Sequence, residues 1–485
     1  MAGPGAVRGV GLALSAASVA SSSRRVAVIG AGASGLAAAK NLQAKKIQPV
    51  VFEQRKSPAG VWNRDPNRPP NENPVYDSLK TNLPRQLMQF WDLPWDDNLP
   101  SYVTHQHVLQ YLNRYCDFHK LAHSIRFGHR VQKLDRFGDG WRIFFTVGDS
   151  GRLQDEVFDA VVIANGHFAS PSIPEIEGRE EFEATGRTVT HSSSYRDPRA
   201  YHGLTILVVG GGPSGSDLAL DLRSGGANVI MSYRGGVAAA PVIGDHVHLV
   251  PGLKSLTSQG TALFDDGSQR SPIDAVILAT GYRYDVPFLD EETLTEEASS
   301  ALPATANLAP IRIVNGRATG TETYIAPLYE QIFWAADETL SFVGLQWKIV
   351  PFPLADAQAS LIAAVLSGEV SLPSCETMLA TATDELIAMR RHGAMDLHML
   401  AANQWSYVQR VLDMAGEASP YPRSMYEPRL RIMQRINEDS AARRKACPRT
   451  YRDAEYTIAY DSEHPGGGWF CASHPTHPTD ERNIT

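Results

Sequence analysis

Cysteine is scarce in this sequence, with four residues among 485. They are Cys116, Cys375, Cys447 and Cys471. Since they lie far apart and none belongs to a Cys-x-x-Cys pair, neither a disulfide scaffold nor a dithiol reductase of that type is expected. Cys471, His474 and His477 have no second ligand cluster nearby. We therefore expect no metal site there, nor at His246 and His248.

Long apolar runs and an excess of basic charge are also missing. No run approaches the roughly 18 consecutive apolar residues of a membrane-spanning helix. The net charge of −8 gives no basic surface for nucleic acid. A hydrophobic content of 43% over 485 residues is enough for two or three domains, each with its own core.

Acidic residues are absent from the beginning of the chain, where the first carboxylate is Glu53. Residues 1–25 are rich in Ala, Ser and Gly and contain Arg8, Arg24 and Arg25. This composition resembles an organelle transit peptide or a weak secretory leader, and the alternative is a disordered tail. The expected location is therefore cytoplasmic or organellar. Residues 451–485 are expected to form a loose C-terminal tail.

Two glycine-rich loops are present, each between an apolar strand and an apolar periodic segment. They read Gly30-Ala31-Gly32-Ala33-Ser34-Gly35 and Gly210-Gly211-Gly212-Pro213-Ser214-Gly215. In such a loop the first glycine permits a tight turn, the second admits a pyrophosphate, and the third lets the helix pack on the strand. One loop would be weak evidence. Two, each in its full context, predict two bound dinucleotides, one in each βαβ unit.

The residues that follow each loop distinguish the two ligands. Glu53, 23 positions after Gly30, can accept hydrogen bonds from a ribose 2′-OH and would repel a 2′-phosphate. At the same distance after Gly210 stands Tyr233, flanked by Ser232 and Arg234. A guanidinium suits a phosphate, so the first unit reads as an NAD or FAD site and the second as an NADP site. The alternative for Arg234 is a solvated surface side chain.

An eight-residue near-repeat supports two similar units. It reads Asp159-Ala-Val-Val-Ile-Ala-Asn-Gly166 and then Asp274-Ala-Val-Ile-Leu-Ala-Thr-Gly281. Continuous apolar runs that end in a small residue and glycine are typical of buried parallel strands. Any such strand could end in this way. The positions of the two copies nevertheless favour a double crossing of the chain between two domains.

These patterns predict an α/β fold with two Rossmann-like dinucleotide-binding domains, the NADP domain being inserted in a discontinuous domain that binds NAD or FAD. We expect residues 26–166 to form the first part of the discontinuous domain, residues 167–274 the NADP domain, and residues 275–450 the second part of the discontinuous domain.

Local patterns add detail to this division. A hairpin is expected from residues 141–147 and 156–164, and helices are expected at residues 354–366 and 377–389. A strand at residues 340–343 ends in Gly344, a position that would bring backbone N–H groups to a flavin ring if one is bound. Without a flavin it is an ordinary turn.

Further segments accompany the two loops. They are Gly60-Val61-Trp62 and residues 76–84, 165–167, 191–195, 279–282 and 342–353. With the loops and Glu53, they resemble the flavin-containing monooxygenases, most closely the plant and algal S-oxygenating branch, from Val26 to about Tyr451. The spacing of Phe182, Gly186 and His191 is wider than the family signature has it, but the closing Tyr195 is kept. Related Baeyer–Villiger enzymes would place Trp there, so the resemblance favours heteroatom oxygenation.

The resemblance implies an NADPH- and O₂-dependent enzyme with FAD in the first unit and NADPH in the second. NADPH would reduce the flavin, O₂ would add to its C4a carbon, and the hydroperoxyflavin would oxygenate a sulfide sulfur or an amine nitrogen, as in N,N-dimethylaniline monooxygenase activity. Cofactors carry such chemistry, and the protein orients them and excludes water.

One side chain has an expected catalytic role. By the family pattern, the neutral amide of Asn82 would donate a hydrogen bond near the reactive edge of the flavin. The alternative is a turn residue beside Leu83 and Pro84. Structural or cofactor-proximal roles are expected for His167 and His191.

The resemblance also implies a set of cofactor-binding residues. They are Gly30, Gly32, Ala33, Ser34, Gly35, Glu53, Gly60, Val61, Trp62, Thr81, Asn82, Val131, Gly344, Gln346, Gly210, Gly212, Pro213, Ser214, Gly215, Ser232, Tyr233, Arg234, Thr280, Gly281 and Tyr282.

Several alternatives stay open at this point. A pyridine-nucleotide reductase or peroxide-producing oxidase, a silent FAD-binding module, and a Baeyer–Villiger or auxin-biosynthetic type monooxygenase would share both loops. The expected partners are a small-molecule substrate and O₂, and a homodimer is left open. The substrate is decided by pocket shape, which no linear motif reports.

Overall fold

The structure is a computed structural model that describes part of the chain. The described ranges are residues 24–64, 74–148, 151–234, 247–289, 312–315, 323–394, 396–461, 468–474 and 483–484. The expected leader at residues 1–23, His246 and His477 lie outside these ranges, as do the side chains of Cys471 and His474.

The described part contains the following helices and strands. The helices are α1 (Ala33–Ala44), α2 (His105–Phe118), α3 (Arg179–Glu183), α4 (Pro213–Ser224), α5 (Pro351–Leu366), α6 (Cys375–Arg391), α7 (Gln404–Ala415) and α8 (Arg423–Ala446). The strands are β1 (Arg25–Ile29), β2 (Gln48–Glu53), β3 (Ile125–Phe127), β4 (His129–Phe137), β5 (Gly140–Val147), β6 (Leu153–Phe158), β7 (Ala160–Ile163), β8 (Ser170–Pro171), β9 (Thr188–His191), β10 (Thr205–Val209), β11 (Asn228–Ser232), β12 (His248–Val250), β13 (Leu253–Leu256), β14 (Ala262–Phe264), β15 (Gln269–Arg270), β16 (Ala275–Leu278), β17 (Tyr282–Arg283), β18 (Arg312–Asn315), β19 (Thr323–Ala326), β20 (Leu328–Tyr329), β21 (Phe333–Trp334), β22 (Leu340–Phe342), β23 (Glu455–Asp461), β24 (Gly468–His474) and β25 (Asn483–Ile484). None of the described helices combines the length and the apolar character that crossing a bilayer requires.

The first glycine loop belongs to a seven-stranded sheet with the order β20-β21-β22-β7-β1-β2-β3. Strands β22, β7, β1, β2 and β3 run parallel, and β20 and β21 add an antiparallel edge. The central strands β1 and β7 are almost wholly apolar because helices or the β4–β6 sheet cover both faces. The continuous apolar runs in the sequence have this cause.

The second glycine loop belongs to a five-stranded parallel sheet with the order β12-β11-β10-β16-β9. Strand β16 (Ala275–Leu278) pairs with β10, so the second sheet continues four residues beyond the expected boundary at Asp274. The second domain ends later than expected because each copy of the octapeptide forms a strand of its own sheet, β7 in the first and β16 in the second.

The two octapeptide copies are equivalent in structure. The Asp159 carboxylate accepts the Arg25 N–H at 2.6 Å, and the Asp274 carboxylate accepts the Thr205 N–H at 2.8 Å. In each sheet, the aspartate therefore satisfies the first N–H of the neighbouring strand, and the apolar run then pairs with that strand. The two copies are similar in sequence because each needs an aspartate for this hydrogen bond and an apolar strand for the sheet.

The chain crosses between the two sheets twice, as expected. After Gly166 it forms β8 (Ser170–Pro171), and on its return it forms β17 (Tyr282–Arg283), which pairs with β8 in an antiparallel ribbon. The Ser172 N–H also donates to the Gly281 carbonyl at 2.9 Å. The two crossings thus stabilise each other.

Both ends of the fold extend further than expected. Arg25 begins β1, and Arg24 Nη1 donates to the Leu366 carbonyl at 2.5 Å, so the fold includes two residues assigned to the leader. Residues 451–458 are not a loose tail, because Tyr451 and Tyr456 are buried and the Tyr451 ring lies 5.3 Å from that of Tyr102. The glycine- and proline-rich sequence that follows predicted a loose tail, and it gave no indication that these two tyrosines are buried.

The local expectations need few changes. The two helices are present as α5 and α6, each somewhat longer than the apolar pattern, and β22 ends at Phe342. The hairpin's second half divides at Asp159 into β6, which pairs with β5, and β7, which enters the main sheet. An apolar run alone does not show such a change of sheet.

Helices α1 and α5 pack against each other and contribute Lys40 and Asp356 to an ionic group in the core. Lys40 Nζ lies 3.1 Å from a carboxylate oxygen of Asp356 and 3.1 Å from one of Asp92. The fully buried Asp356 also accepts from Asn41 at 2.7 Å and from the Tyr421 hydroxyl at 2.7 Å. Such a group is tolerated because nearly every lone pair has a donor.

Removing the cation from this cluster is expected to destabilise the protein. In Lys40→Met the buried Asp356 charge loses its counter-ion, which costs about 3 kcal/mol of unfolding free energy. The control is Lys45→Met, directly after the same helix, because Lys45 pairs with the exposed Glu369 and should change stability little. Denaturant unfolding measures both variants, and equal losses would contradict a buried role for Lys40.

Candidate functional site

The first glycine loop depends on close backbone approach. Gly30 has φ +103°, and a Cβ there would lie 2.6 Å from the Ala164 carbonyl oxygen. A side chain at Gly35 would collide with the Gly30 carbonyl. Gly32 precedes α1, and in the described part no side chain caps the helix, which leaves its first N–H groups for an anion.

Two turns close over this loop. The turn Gly60–Trp62 has its first Cα so near Gly32 that a Cβ at Gly60 would lie 3.0 Å from the Gly32 Cα. A side chain at Gly344 would collide with the Ser34 hydroxyl. The structure therefore gathers residues from three distant parts of the sequence around one backbone cradle.

Glu53 holds the loop in place. Its buried carboxylate accepts the Ala31 N–H at 2.8 Å through one oxygen and the Arg55 N–H at 2.8 Å through the other. The Arg55 guanidinium then donates to the carbonyls of Gly60 and Asn63, each at 2.7 Å. Sequence reasoning missed Arg55, since an arginine after a strand looks like a surface residue. The expected ribose contact of Glu53 stays a prediction.

The turn after β22 is held by a buried glutamine. Gln358, fully buried in α5, accepts the Gly344 N–H at 2.9 Å and donates to Gln346 at 2.9 Å and to the Tyr407 hydroxyl at 2.7 Å. The Gly344 N–H, expected to face a flavin, is therefore engaged inside the protein. Gln358 was missed, although a glutamine in so apolar a helix was a visible signal.

The remaining residues expected at the first site lie in different surroundings. Thr81 is buried, and its hydroxyl has no hydrogen-bond partner among the described residues. Asn82 is half-buried, and its side chain has no hydrogen bond to another described residue. Val131 belongs to the same apolar cluster as Phe52. A buried hydroxyl without a partner costs about 1–3 kcal/mol, so a bound polar molecule fits here.

The second loop repeats the geometry of the first. Gly210 has φ +118°, and a side chain there would collide with the Ala279 carbonyl. The Gly210 N–H donates to Ser232 O at 2.8 Å, just as the Gly30 N–H donates to Phe52 O at 2.8 Å. The loop leads into α4 with Pro213 in its first turn, and no side chain caps this described helix. Both loops thus present the same cradle.

The crossing ribbon places aromatic residues beside the second loop. The Tyr282 ring lies edge-on to His191 with centroids 5.1 Å apart. His191 Nδ1 accepts the Ser193 N–H at 3.1 Å, so Nε2 carries the proton and donates to Gly281 O at 3.0 Å. Burial lowers the pKa of His191, which favours a neutral structural imidazole. The Thr280 hydroxyl donates to Ser172 O at 2.5 Å.

A cavity of about 490 Å³ lies at the end of β11, where a ribose 2′-substituent would bind. Its lining consists of Tyr233, Arg234, Leu249, Val250, Pro251, Gly252 and Asp265. A side chain at Gly252 would collide with the Asp265 carboxylate and lie 3.1 Å from Arg234 Cγ, so both side chains border this glycine. Asp265 was missed because it belongs to a polar turn. The buried Ser232 hydroxyl donates to Pro251 O at 2.7 Å and is used within the fold.

The two sites are joined through helix α4. The Asp221 carboxylate accepts the Ser78 hydroxyl at 2.8 Å and the Tyr195 hydroxyl at 2.7 Å. Tyr195 is the closing aromatic residue of the family signature, and its hydroxyl binds the helix that starts at the second loop. The segment that contains Thr81 and Asn82 is therefore fixed against that helix.

Among the described residues, no group of three metal-ligating side chains is present.

Comparison with known proteins agrees with this architecture. The family model described as flavin-binding monooxygenase-like matches residues 23–246 and 238–302. Flavin-containing monooxygenase FMO GS-OX-like 4 of Arabidopsis thaliana is 30% identical over 462 residues, which cover 89% of this chain and 94% of that protein. FMO GS-OX5 of the same plant is 31% identical over 419 residues, with coverage of 81% and 85%.

Solved structures show the same fold. S-allyl-L-cysteine S-oxygenase from Allium sativum is 28% identical with a TM-score of 0.75, and the match covers 90% of this chain and 96% of that one. Tmm from Pelagibacter sp. strain HTCC7211, at 22% identity, TM-score 0.74 and coverage of 94% and 97%, shares the fold. The chain therefore belongs to the flavin-binding monooxygenase-like family, whose members are FAD- and NADPH-dependent oxidoreductases.

Proposed function

We propose that this protein is an NADPH- and O₂-dependent monooxygenase that transfers one oxygen atom to the sulfur of a small sulfide. The observation that carries the proposal is the pair of glycine cradles, joined through α4 and the crossing ribbon. The preference for sulfur over nitrogen is supported by the S-oxygenase neighbour and the GS-OX relatives. A single chain contains both cofactor sites.

The first cradle fits the ADP part of FAD. Gly30, Gly32 and Gly35 leave room for a pyrophosphate at the N-terminus of α1, and Glu53 lies where ribose hydroxyls would bind. The unpartnered Thr81 hydroxyl supplies a further polar contact. A bound flavin supplies the electron transfer and dioxygen activation that side chains lack.

The second cradle fits NADPH. Gly210, Gly212 and Gly215 surround the N-terminus of α4, and Arg234 lines the cavity where a 2′-phosphate would lie. No base is required of the protein, in agreement with a neutral and internally bonded His191. The residues of this chain bind and orient the cofactors and substrate and exclude water.

A dithiol reductase is disfavoured by two of the three cysteines whose side chains the structure describes, the third being the exposed Cys447. Burial raises the pKa of Cys116 to about 11 and also raises the pKa of Cys375. Since the thiolate is the reactive form, both thiols are poor nucleophiles at neutral pH. Bacillithiol disulfide reductase from Bacillus cereus, at 20% identity and TM-score 0.55, shares the fold alone.

Isotope labelling tests the reaction class. With NADPH, a dialkyl sulfide and ¹⁸O₂, we expect one labelled sulfoxide oxygen for each NADPH consumed. Mass spectrometry of the product and a peroxide assay measure this ratio. A tertiary amine in place of the sulfide tests nitrogen oxygenation. Stoichiometric H₂O₂ without any oxygenated product would identify an oxidase instead.

Coenzyme choice tests the cavity at β11. Arg234→Ala should weaken NADPH binding about tenfold or more and leave NADH binding nearly unchanged, because only NADPH has the 2′-phosphate. Asp265→Asn is the opposite control, since removing the carboxylate should strengthen NADPH binding about twofold to fourfold. Equilibrium titration with both coenzymes measures these changes. Equal losses for NADPH and NADH in Arg234→Ala would refute the phosphate contact.

The role of Asn82 is tested by an apolar substitution of similar size. In Asn82→Leu the amide donor is lost, and oxygenated product per NADPH should fall at least about tenfold while H₂O₂ rises. FAD content and the rate of NADPH oxidation serve as controls for an intact protein. Unchanged coupling between NADPH and product would leave Asn82 as a turn residue.

A further inference from the structure

Arg452 lies between the two cofactor-binding domains and bonds to both. Its Nε donates to the Thr81 carbonyl at 2.9 Å, and its Nη2 lies 2.6 Å from a carboxylate oxygen of Asp217. Both members of this ion pair are largely shielded from solvent. A shielded, charge-assisted pair is stronger and more rigid than one on the surface.

Each partner leads directly to a cofactor site. Thr81 precedes Asn82 and has the unpartnered hydroxyl described above. Asp217 lies in the second turn of α4, the helix that begins immediately after Gly212 of the second loop. Because a helix moves as a unit, a displacement of Asp217 also displaces the glycine cradle at its N-terminus.

The same face of α4 holds a second contact. Asp221, four residues after Asp217, accepts the Ser78 and Tyr195 hydroxyls. Residues four apart share one face of a helix. This face of α4 is thus fixed to the segment of residues 78–82 at two points. One is the hydrogen bond from Ser78 to Asp221, and the other is Arg452, which bridges Asp217 and the Thr81 carbonyl.

The position of Arg452 is itself well determined. It belongs to the turn Tyr451–Asp453, and its guanidinium carbon lies 4.8 Å from the centre of the Tyr451 ring. That ring packs edge-on against Tyr102 of the first domain, at 5.3 Å. Residues 451–456 therefore belong to the first domain, and Arg452 reaches out from them to the second.

We propose that Arg452 is a positioning residue that sets the separation and orientation of the two cofactor sites. Electron transfer between two bound molecules depends steeply on their placement, and an error of about 1 Å can cost a hundredfold in rate. A guanidinium is suited to this task because its rigid fork donates in two directions at once, whereas lysine offers a point charge. The inference rests on the proposed function only for its kinetic consequence.

The experiment compares the variants Arg452→Met, Arg452→Lys, Asp217→Asn and the Arg452→Met/Asp217→Asn double variant. The matched control is Arg443→Met, which removes a similarly shielded arginine whose partner Asp439 lies on the same helix. Two quantities are measured on the FAD-loaded protein, namely hydrogen exchange of the peptides that contain residues 78–82 and 213–224, and the rate of anaerobic flavin reduction by NADPH. Reduction by dithionite controls for flavin content.

In Arg452→Met, both peptides should exchange at least about threefold faster, because the contact that closes them is gone. NADPH-dependent reduction should slow about tenfold or more, with dithionite reduction unchanged. Arg452→Lys should recover part of the rate. The double variant should reduce the flavin no more slowly than Arg452→Met, because the Asp217 change removes only the ion pair that Arg452→Met has already broken. Arg443→Met should alter neither measurement.

The proposal would be overturned if both peptides of Arg452→Met exchanged hydrogen at the wild-type rate. It would also be overturned if NADPH reduced the flavin of Arg452→Met as fast as that of Arg443→Met. If the wild-type protein accepts no electrons from NADPH, the proposed function fails. The exchange measurement still decides whether Arg452 joins the two domains.

Discussion

The structure depends on one constraint, which is the approach of a carbonyl oxygen to the first glycine of each loop. Ala164 O lies where a side chain at Gly30 would be, and Ala279 O lies where one at Gly210 would be. This contact closes the strand–loop–helix unit and leaves the helix N-terminus open to an anion.

Similar cradles acquire different functions through what surrounds them. At the first cradle, a buried carboxylate and the turns at Gly60 and Gly344 close over the loop. At the second, β11 ends in a cavity lined by Arg234 and Asp265. This asymmetry supports the proposed placement of FAD in the first cradle and NADPH in the second, and helix α4 couples the two sites through Asp217 and Asp221. This agrees with a reaction in which the protein mainly orients its cofactors.

Much of this arrangement could be predicted from local pattern. The loops, the octapeptide strands and helices α5 and α6 are each specified by residues close together in sequence. Arg55, Asp265 and Arg452 could not be found in this way, because in the sequence each resembles a surface residue. Gln358 gave a signal as a glutamine in an apolar helix, but its partners could not be identified from the sequence. The buried Ser232 hydroxyl donates to Pro251 O, a contact within the fold that the sequence did not indicate, and its expected role in cofactor binding stays a prediction.

The sequence by itself determined the fold class, the two glycine cradles and the family, since backbone sterics and apolar periodicity are written in short segments. Only the tertiary structure decided that Glu53 and Gln358 hold the first loop and the turn at Gly344, that Asp265 and Arg234 line one cavity, and that the C-terminal segment joins the domains through Arg452. The physical reason is that hydrogen bonds and ion pairs of shielded groups depend on which side chains meet in space. The spacing of residues along the chain does not show which side chains come into contact.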